Sequence, residues 1–177
     1  FFRLNGISYE ALPIETNDEG KENLFAGRCD VYTTDASGLS STRAAAADPS
    51  KWVVLPEIIS KEPLGPLVRH GDHQWGDVVR WSLNAMIIAE ELGITSENVD
   101  AQKSSNVPEV LRLLGVEGSY GEMLELAPDW AYQIIKQIGN YSESYEANVG
   151  PDTPLEIARG LNALWTQGGI LYAPPFR

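Results

Sequence analysis

Few residues in this chain are placed to do chemistry. His70 and His73, with Asp72 between them, are its two histidines, and a His-x-x-His step brings two imidazoles to one metal only when both share a helical face. They straddle the start of a helical pattern instead, with no third ligand nearby, so neither a metal nor another cofactor is expected. Nucleophilic catalysis needs a base beside a serine or cysteine. Cys29 has no histidine close in sequence, no Gly-x-Ser-x-Gly elbow occurs, and Gly115–Gly121 and Gly168-Gly169 lack the Lys-Ser/Thr of a phosphate loop. The acidic pairs Asp18-Glu19 and Glu90-Glu91 are adjacent on helical patterns, so their carboxylates diverge.

Asp35 differs. It follows the strand-like run Cys29-Asp30-Val31-Tyr32-Thr33-Thr34 and precedes Ala36-Ser37-Gly38, so its carboxylate stands where a strand hands over to a helix. Open α/β sheets bind ligands outside the carboxyl ends of their strands. A carboxylate there has two uses: it can cap the next helix, or it can receive an ammonium group in a charge-assisted contact worth about 1.5–3 kcal/mol net. The sequence leaves both open. Arg28, Thr33, Thr34 and Ser37 stand close enough to line the same place, each with a structural reading beside the functional one.

The elements that must position these residues follow from periodicity. Candidate strands are Ser8–Glu15, Asp30–Thr34, Trp52–Glu57 and Leu64–Arg69, interleaved with helical stretches at Asp18–Ala26, ending at Gly27, and Ser37–Ala47. This is α/β patterning up to about residue 69. From Asp72 onward the pattern turns helical. Gln74–Leu92 carries Trp75, Val78, Val79, Ser82, Met86 and Ile87 at helical spacing, and short helices are expected near Ser96–Gln102 and Pro108–Leu114, with a loop at Gly118–Gly121. Trp130–Tyr145 predicts one helix bent at Gly139. A final helix is expected from Thr153, with Pro154 at its first position and Glu156 at capping-box spacing, to Gly168-Gly169; it would bury Ile157, Ala158, Leu161, Leu164 and Trp165. Phe1, Phe2 and Leu4 ahead of Gly6 resemble a last helical turn and its glycine, so the chain reads as a piece beginning inside an element.

Composition narrows the classes. The 177 residues include 43% hydrophobic and 21% charged residues, with 5 Trp and 7 Tyr, a balance that folds. With 13 Lys and Arg against 25 Asp and Glu, the net charge of -12 repels a phosphate backbone and argues against nucleic acid. No apolar run approaches the roughly 20 residues needed to span a bilayer, and the first residues lack a signal-peptide layout. One cysteine permits no internal disulfide, so Cys29 is either a buried thiol at a strand start or half of a bridge to an upstream segment.

Three long stretches carry a resemblance. Gly27-Arg28-Cys29-Asp30-Val31-Tyr32-Thr33-Thr34-Asp35-Ala36-Ser37-Gly38-Leu39, the run Val54–Trp81 (VLPEIISKEPLGPLVRHGDHQWGDVVRW) and the run Asn148–Arg177 (NVGPDTPLEIARGLNALWTQGGILYAPPFR) resemble, in order, the second-lobe signature, return crossover and C-terminal extension of the general L-amino-acid ABC-transporter substrate-binding proteins. The resemblance implies an α/β, type II periplasmic-binding fold, present in part. Residues 1–66 would be the C-terminal portion of lobe two, and 67–177 the C-terminal portion of lobe one with a mostly helical extension. It implies a periplasmic protein, made with a signal in its precursor, that captures an L-amino acid between two lobes and delivers it to a membrane permease. Asp35 would take the α-ammonium group with Thr33, Thr34 and Ser37 beside it, while the residues clamping the α-carboxylate lie upstream. The hinge would include Glu62, Pro63 and Gly65. A truncated pair of lobes could fold by exchanging elements with a second copy, giving a homodimer. Two other readings stand beside binding. One is an enzyme of the dehydratase or murein-cleaving type on the same bilobal fold, using Glu62 or Asp35 with a second polar group; the other is a structural fragment that binds nothing.

Overall fold

Burial separates the chain into parts of unlike character. The computed structural model describes residues 1–61 and 63–176, which divide into two units: Phe1–Leu64 with Pro154–Ile157, and Gly65–Thr153 with Ala158–Arg177. Each has its own logic.

In the first unit, helix α1 (Asn17–Phe25) starts where the Thr16 hydroxyl accepts the Glu19 N–H at 3.2 Å, with Asp18 and Glu19 complementing the positive end of the helix. It stops at Gly27, where the Arg28 N–H donates back to the Asn23 carbonyl at 2.9 Å. Helix α2 (Ala36–Ala44) begins at Asp35. The opening turn has the helix-end geometry its sequence suggests: Ile7 N–H donates to the Phe2 carbonyl at 2.9 Å and Gly6 N–H to that of Arg3 at 3.3 Å. The four expected strands form no ladder among the described residues. The period-two pattern nevertheless survives in burial, because Val53 (77%) and Leu55 (61%) are exposed while Trp52 and Val54 are half-buried. A sheet needs neighbouring strands, and here no described segment supplies them. The most deeply buried side chains of this unit are polar, those of Asn23, Ser40 and Thr42.

The second unit owns the hydrophobic core. Helix α3 (His73–Glu91) is capped by the Asp72 carboxylate, which accepts the Trp75 N–H at 3.1 Å. Ala85, Ile87, Ile88 and Ala89 are its buried residues; Trp75, expected on the packed face, is exposed. After α4 (Val99–Gln102), α5 (Pro108–Leu113) and α6 (Tyr120–Met123), the last in place of the loop expected at Gly118–Gly121, come α7 (Trp130–Ile138) and α8 (Tyr141–Asn148), both packed on α3. Ile94, Val99, Leu113, Leu114 and Ile135 fill the centre. Phe176 closes it, with its ring 5.3–6.1 Å from those of Trp81, Tyr120 and Trp130 and its carbonyl accepting from the Arg112 Nε–H at 3.1 Å.

The bent helix over Trp130–Tyr145 is two helices. Gly139 (φ 93°) breaks the run, and Asn140 starts α8 with a reciprocal cap: its side chain accepts the Glu143 N–H at 2.9 Å, and the Glu143 carboxylate accepts the Asn140 N–H at 2.8 Å. Glu143 also accepts from the Ser96 amide and hydroxyl, and the buried Asn140 amide donates to the Ile94 carbonyl at 2.8 Å.

The final helix does not form. The Thr153 hydroxyl donates to the Gly150 carbonyl at 2.8 Å instead of capping, and Glu156 lies in the left-handed region (φ 51°). In the first unit the Arg43 guanidinium, at the end of α2, holds the Glu156 carboxylate at 2.8 Å and the Leu155 carbonyl at 3.2 Å. Beyond, the chain forms two 3-10 turns, Gly160–Asn162 and Trp165–Gln167, and doubles back so that Leu164 bridges Leu171. A side chain at Gly169 would collide with the Ala163 carbonyl. Of the expected apolar face only Leu164 is buried; Leu161 and Trp165 are exposed.

Candidate functional site

The first unit carries one concavity of note, an open depression of about 490 Å³ lined by Phe1, Phe2, Thr33, Thr34, Asp35, Ile59, Ser60 and Leu64. Its volume falls in the roughly 300–1,000 Å³ range of small-molecule sites. Three segments build it: the opening turn, the end of the 30–34 run with the start of α2, and the approach to Leu64. Asp35 is the one side chain among these that titrates, set among aromatic, aliphatic and hydroxyl groups.

The Asp35 carboxylate is both a cap and a wall of this concavity. Its Oδ1 accepts the Gly38 N–H at 2.8 Å and a short hydrogen bond from the Ser37 hydroxyl at 2.5 Å, so one oxygen is committed to the helix. Among the described residues the side-chain donor to Oδ2 is the Thr34 hydroxyl, at 3.5 Å, too long to hold it firmly. A carboxylate offers about four acceptor positions. Two are filled at Oδ1, and Oδ2 retains capacity for a donor. The hydrogen bonds from Ser37, first, and the Gly38 amide, second, hold the carboxyl below the usual aspartate range. The group is an anion at neutral pH.

The neighbours sort cleanly. Thr33 and Thr34 line the concavity with Asp35, whereas Ser37 reaches it through the carboxylate. Arg28 does not take part, since its guanidinium donates to Asn23 Oδ1 at 2.9 Å. Cys29 is a half-buried free thiol. Phe1, Phe2, Ile59, Ser60 and Leu64 were not singled out by sequence, and no local signal marks them, because they meet Asp35 only through folding. Of the hinge candidates, Pro63 and Gly65 flank the boundary between the units at Leu64/Gly65, and Glu62 lies outside the described residues.

His70, Asp72 and His73 line a second depression of about 410 Å³, in the second unit at the start of α3, with Arg69, Asp77 and Arg80. Asp72 is occupied as the cap of α3. Among the described residues no group of three or more His, Cys, Asp or Glu side chains could hold a metal, and no helix is long and apolar enough to cross a membrane.

No family model matches the chain. Over its whole length it is 53% identical to the glutamate/glutamine/aspartate/asparagine-binding protein BztA of Rhodobacter capsulatus, covering 53% of that protein. It is 52% identical to the general L-amino acid-binding periplasmic protein AapJ of Rhizobium johnstonii, covering 52%. Among solved structures, an ABC transporter periplasmic binding protein from Brucella ovis with glutathione bound superimposes on 99% of this chain with a TM-score of 0.91 and 50% identity, and the match covers 56% of that chain. The chain thus spans about half the length of the curated relatives it matches, and its fold is part of the type II periplasmic-binding fold, with the regular structure largely helical.

Proposed function

We propose that this chain, homologous along its whole length to the amino-acid-binding proteins of ABC transporters, is part of a periplasmic receptor that captures L-amino acids and hands them to a membrane permease. Residues 1–66 are the C-terminal portion of lobe two and 67–177 that of lobe one, with Pro63 and Gly65 in the hinge between them. Asp35 receives the ligand's α-ammonium group. The observation that carries this is the disposition of its carboxylate: one oxygen held by Ser37 and Gly38, the other under-coordinated, in a concavity with no competing cationic side chain among its lining residues. The start of a helix is electropositive and disfavours a cation. A carboxylate interposed at that place reverses the sign and makes an ammonium welcome.

The reading is binding and not catalysis. Among the described lining residues, Phe1, Phe2, Ile59, Leu64 and three hydroxyl residues, no side chain besides Asp35 titrates, and the relatives that match the chain are named as binding proteins. The ligand range includes glutathione, bound by the solved relative, because its γ-glutamyl residue presents the same α-ammonium and α-carboxylate pair.

The test is calorimetric titration of the receptor containing this chain with L-glutamine, L-leucine and glutathione. Asp35→Asn should weaken all three by about ten- to a hundredfold, the size of a charge-assisted contact. Unchanged affinity in that variant would remove Asp35 from the site.

A further inference from the structure

We infer that Ser37 and Gly38 are positioning residues for the ligand-binding carboxylate, Ser37 by fixing Oδ1 of Asp35 and Gly38 by leaving open the space that Oδ2 occupies. The inference rests on the proposed role of Asp35 and adds what aims that group.

The geometry at Ser37 is direct. Its hydroxyl donates to Oδ1 at 2.5 Å alongside the Gly38 N–H at 2.8 Å, so two donors grip one oxygen and fix the rotation of the carboxylate about its Cβ–Cγ bond. The other oxygen is then presented in a defined direction without a strong partner. Losing the Ser37 hydroxyl leaves the cap amide in place but frees that rotation, so an ammonium must order the group itself on binding, at an entropic cost.

Gly38 acts by absence. It is the third residue of α2, in helical backbone where alanine is ordinarily preferred over glycine. A Cβ built there would stand 2.8 Å from Asp35 Oδ2 and 3.2 Å from the Thr34 Cγ2 methyl. The first separation is closer than a carbon and an oxygen tolerate, so any side chain at 38 must push Oδ2 away from where it lies. Helix propensity thus favours alanine at this position, and room for the carboxylate favours glycine.

The lining residues of the concavity contribute no titrating side chain other than Asp35, and none is borne by its contacts Thr34, Ser37 and Gly38. The part of the acid limb of ligand affinity that Asp35→Asn removes is therefore the part that reports on Asp35.

The experiment is calorimetric titration of the receptor containing this chain with L-glutamine from about pH 3 to pH 7, comparing Asp35→Asn, Ser37→Ala, Ser37→Thr and Gly38→Ala, each with a thermal melt. Ser37→Ala should weaken binding by about two- to tenfold at neutral pH, the cost of ordering one freed side chain, and should shift the acid limb to higher pH. Ser37→Thr, which keeps the hydroxyl, should restore both. Gly38→Ala should weaken binding by at least about tenfold while melting no lower than the parent. If Asp35→Asn weakens binding but Ser37→Ala and Gly38→Ala bind as the parent does, with the same acid limb, the positioning role is wrong and the role of Asp35 stands. If Asp35→Asn itself has no effect, the underlying reading fails. Should Gly38→Ala not fold, the Ser37→Ala and Ser37→Thr pair decides alone.

Discussion

Asp35 holds its charge because two donors, the Ser37 hydroxyl foremost and the Gly38 amide next, favour the anion more than partial burial opposes it. Its folded pKa lies below the unfolded value. The stabilisation this gives is complete above the unfolded carboxylate's range and is lost as pH falls through the folded pKa. Affinity for a zwitterion should therefore persist to lower pH than it would with an unperturbed carboxyl of pKa about 3.9. Carbon-detected NMR titration of the Asp35 carboxyl checks this: a midpoint below about 3.9 is expected, and one at or above it would mean that the hydrogen bonds do not hold in solution. At this scale the sequence was informative about Asp35 itself, since a strand-to-helix handover already posed capping and ligand binding as rivals. The structure shows the cap made through one oxygen, and the proposed ligand contact would use the other. The rim of Phe1, Phe2, Ile59, Ser60 and Leu64 was illegible because it assembles from residues far apart along the chain.

Helices were read well where end signals or an apolar stripe stand unopposed, as the acidic start and Gly27 end of α1 and the stripe of α3 do, and badly where two local signals compete. Gly139-Asn140-Tyr141-Ser142-Glu143 contains an Asn-x-x-Glu capping box directly after a glycine, a helix start that the apolar spacing from Trp130 to Tyr145 obscured. Gly139→Ala should cost about 2 kcal/mol, because φ of 93° is unfavourable for alanine and its Cβ would stand 2.7 Å from that of Glu143. Asn140→Ala should cost a similar amount, about 2 kcal/mol, since it removes the cap and strands the Ile94 carbonyl. Both are measurable by urea unfolding, and neutrality in either would show that the break between α7 and α8 is not held this way. The C-terminal segment failed as a helix for another reason. Its capping-box residues are engaged elsewhere, Glu156 with Arg43 and Thr153 with Gly150. What anchors the segment within the second unit is Arg159, paired with Glu90 at 3.0 Å with side chains only 16% and 9% exposed, its guanidinium 5.3 Å from the rings of both Tyr141 and Tyr145. Removing one partner of so enclosed a pair leaves the other uncompensated. Arg159→Ala should lower stability by about 3 kcal/mol, and a loss below about 0.5 kcal/mol would class the pair with surface bridges.

The two units differ in how much of their stability lies within this chain. The second has a continuous core from α3 to Phe176, while the first buries polar side chains most deeply and exposes Val31 (58%), Val53 (77%), Leu55 (61%) and Ile58 (77%). Runs rich in Val, Ile and Leu on both faces are the mark of strands enclosed within a sheet. Alternating burial along Trp52–Leu55 shows such a run with one face uncovered. This is why an α/β pattern was legible in sequence while ladders are lacking among the described residues: the pattern records the environment for which the residues are suited, and the ladder requires neighbours. The relatives are about twice as long as this chain, and the expectation is that the half it does not match supplies those neighbours. Hydrogen exchange on this chain alone should accordingly show amides of α3 and α7 protected and those of 30–34 and 52–57 exchanging at nearly unfolded rates. Adding the unmatched half of the BztA relative as a separate polypeptide should slow exchange in both segments by at least about tenfold while leaving α3 and α7 unchanged. Protection of 30–34 and 52–57 in the isolated chain at low concentration would instead mean that these runs are satisfied without upstream strands. If that protection appeared only as concentration rose, with sedimentation reporting a dimer, a second copy would be supplying the neighbours and the sheet would be completed by exchange between identical chains.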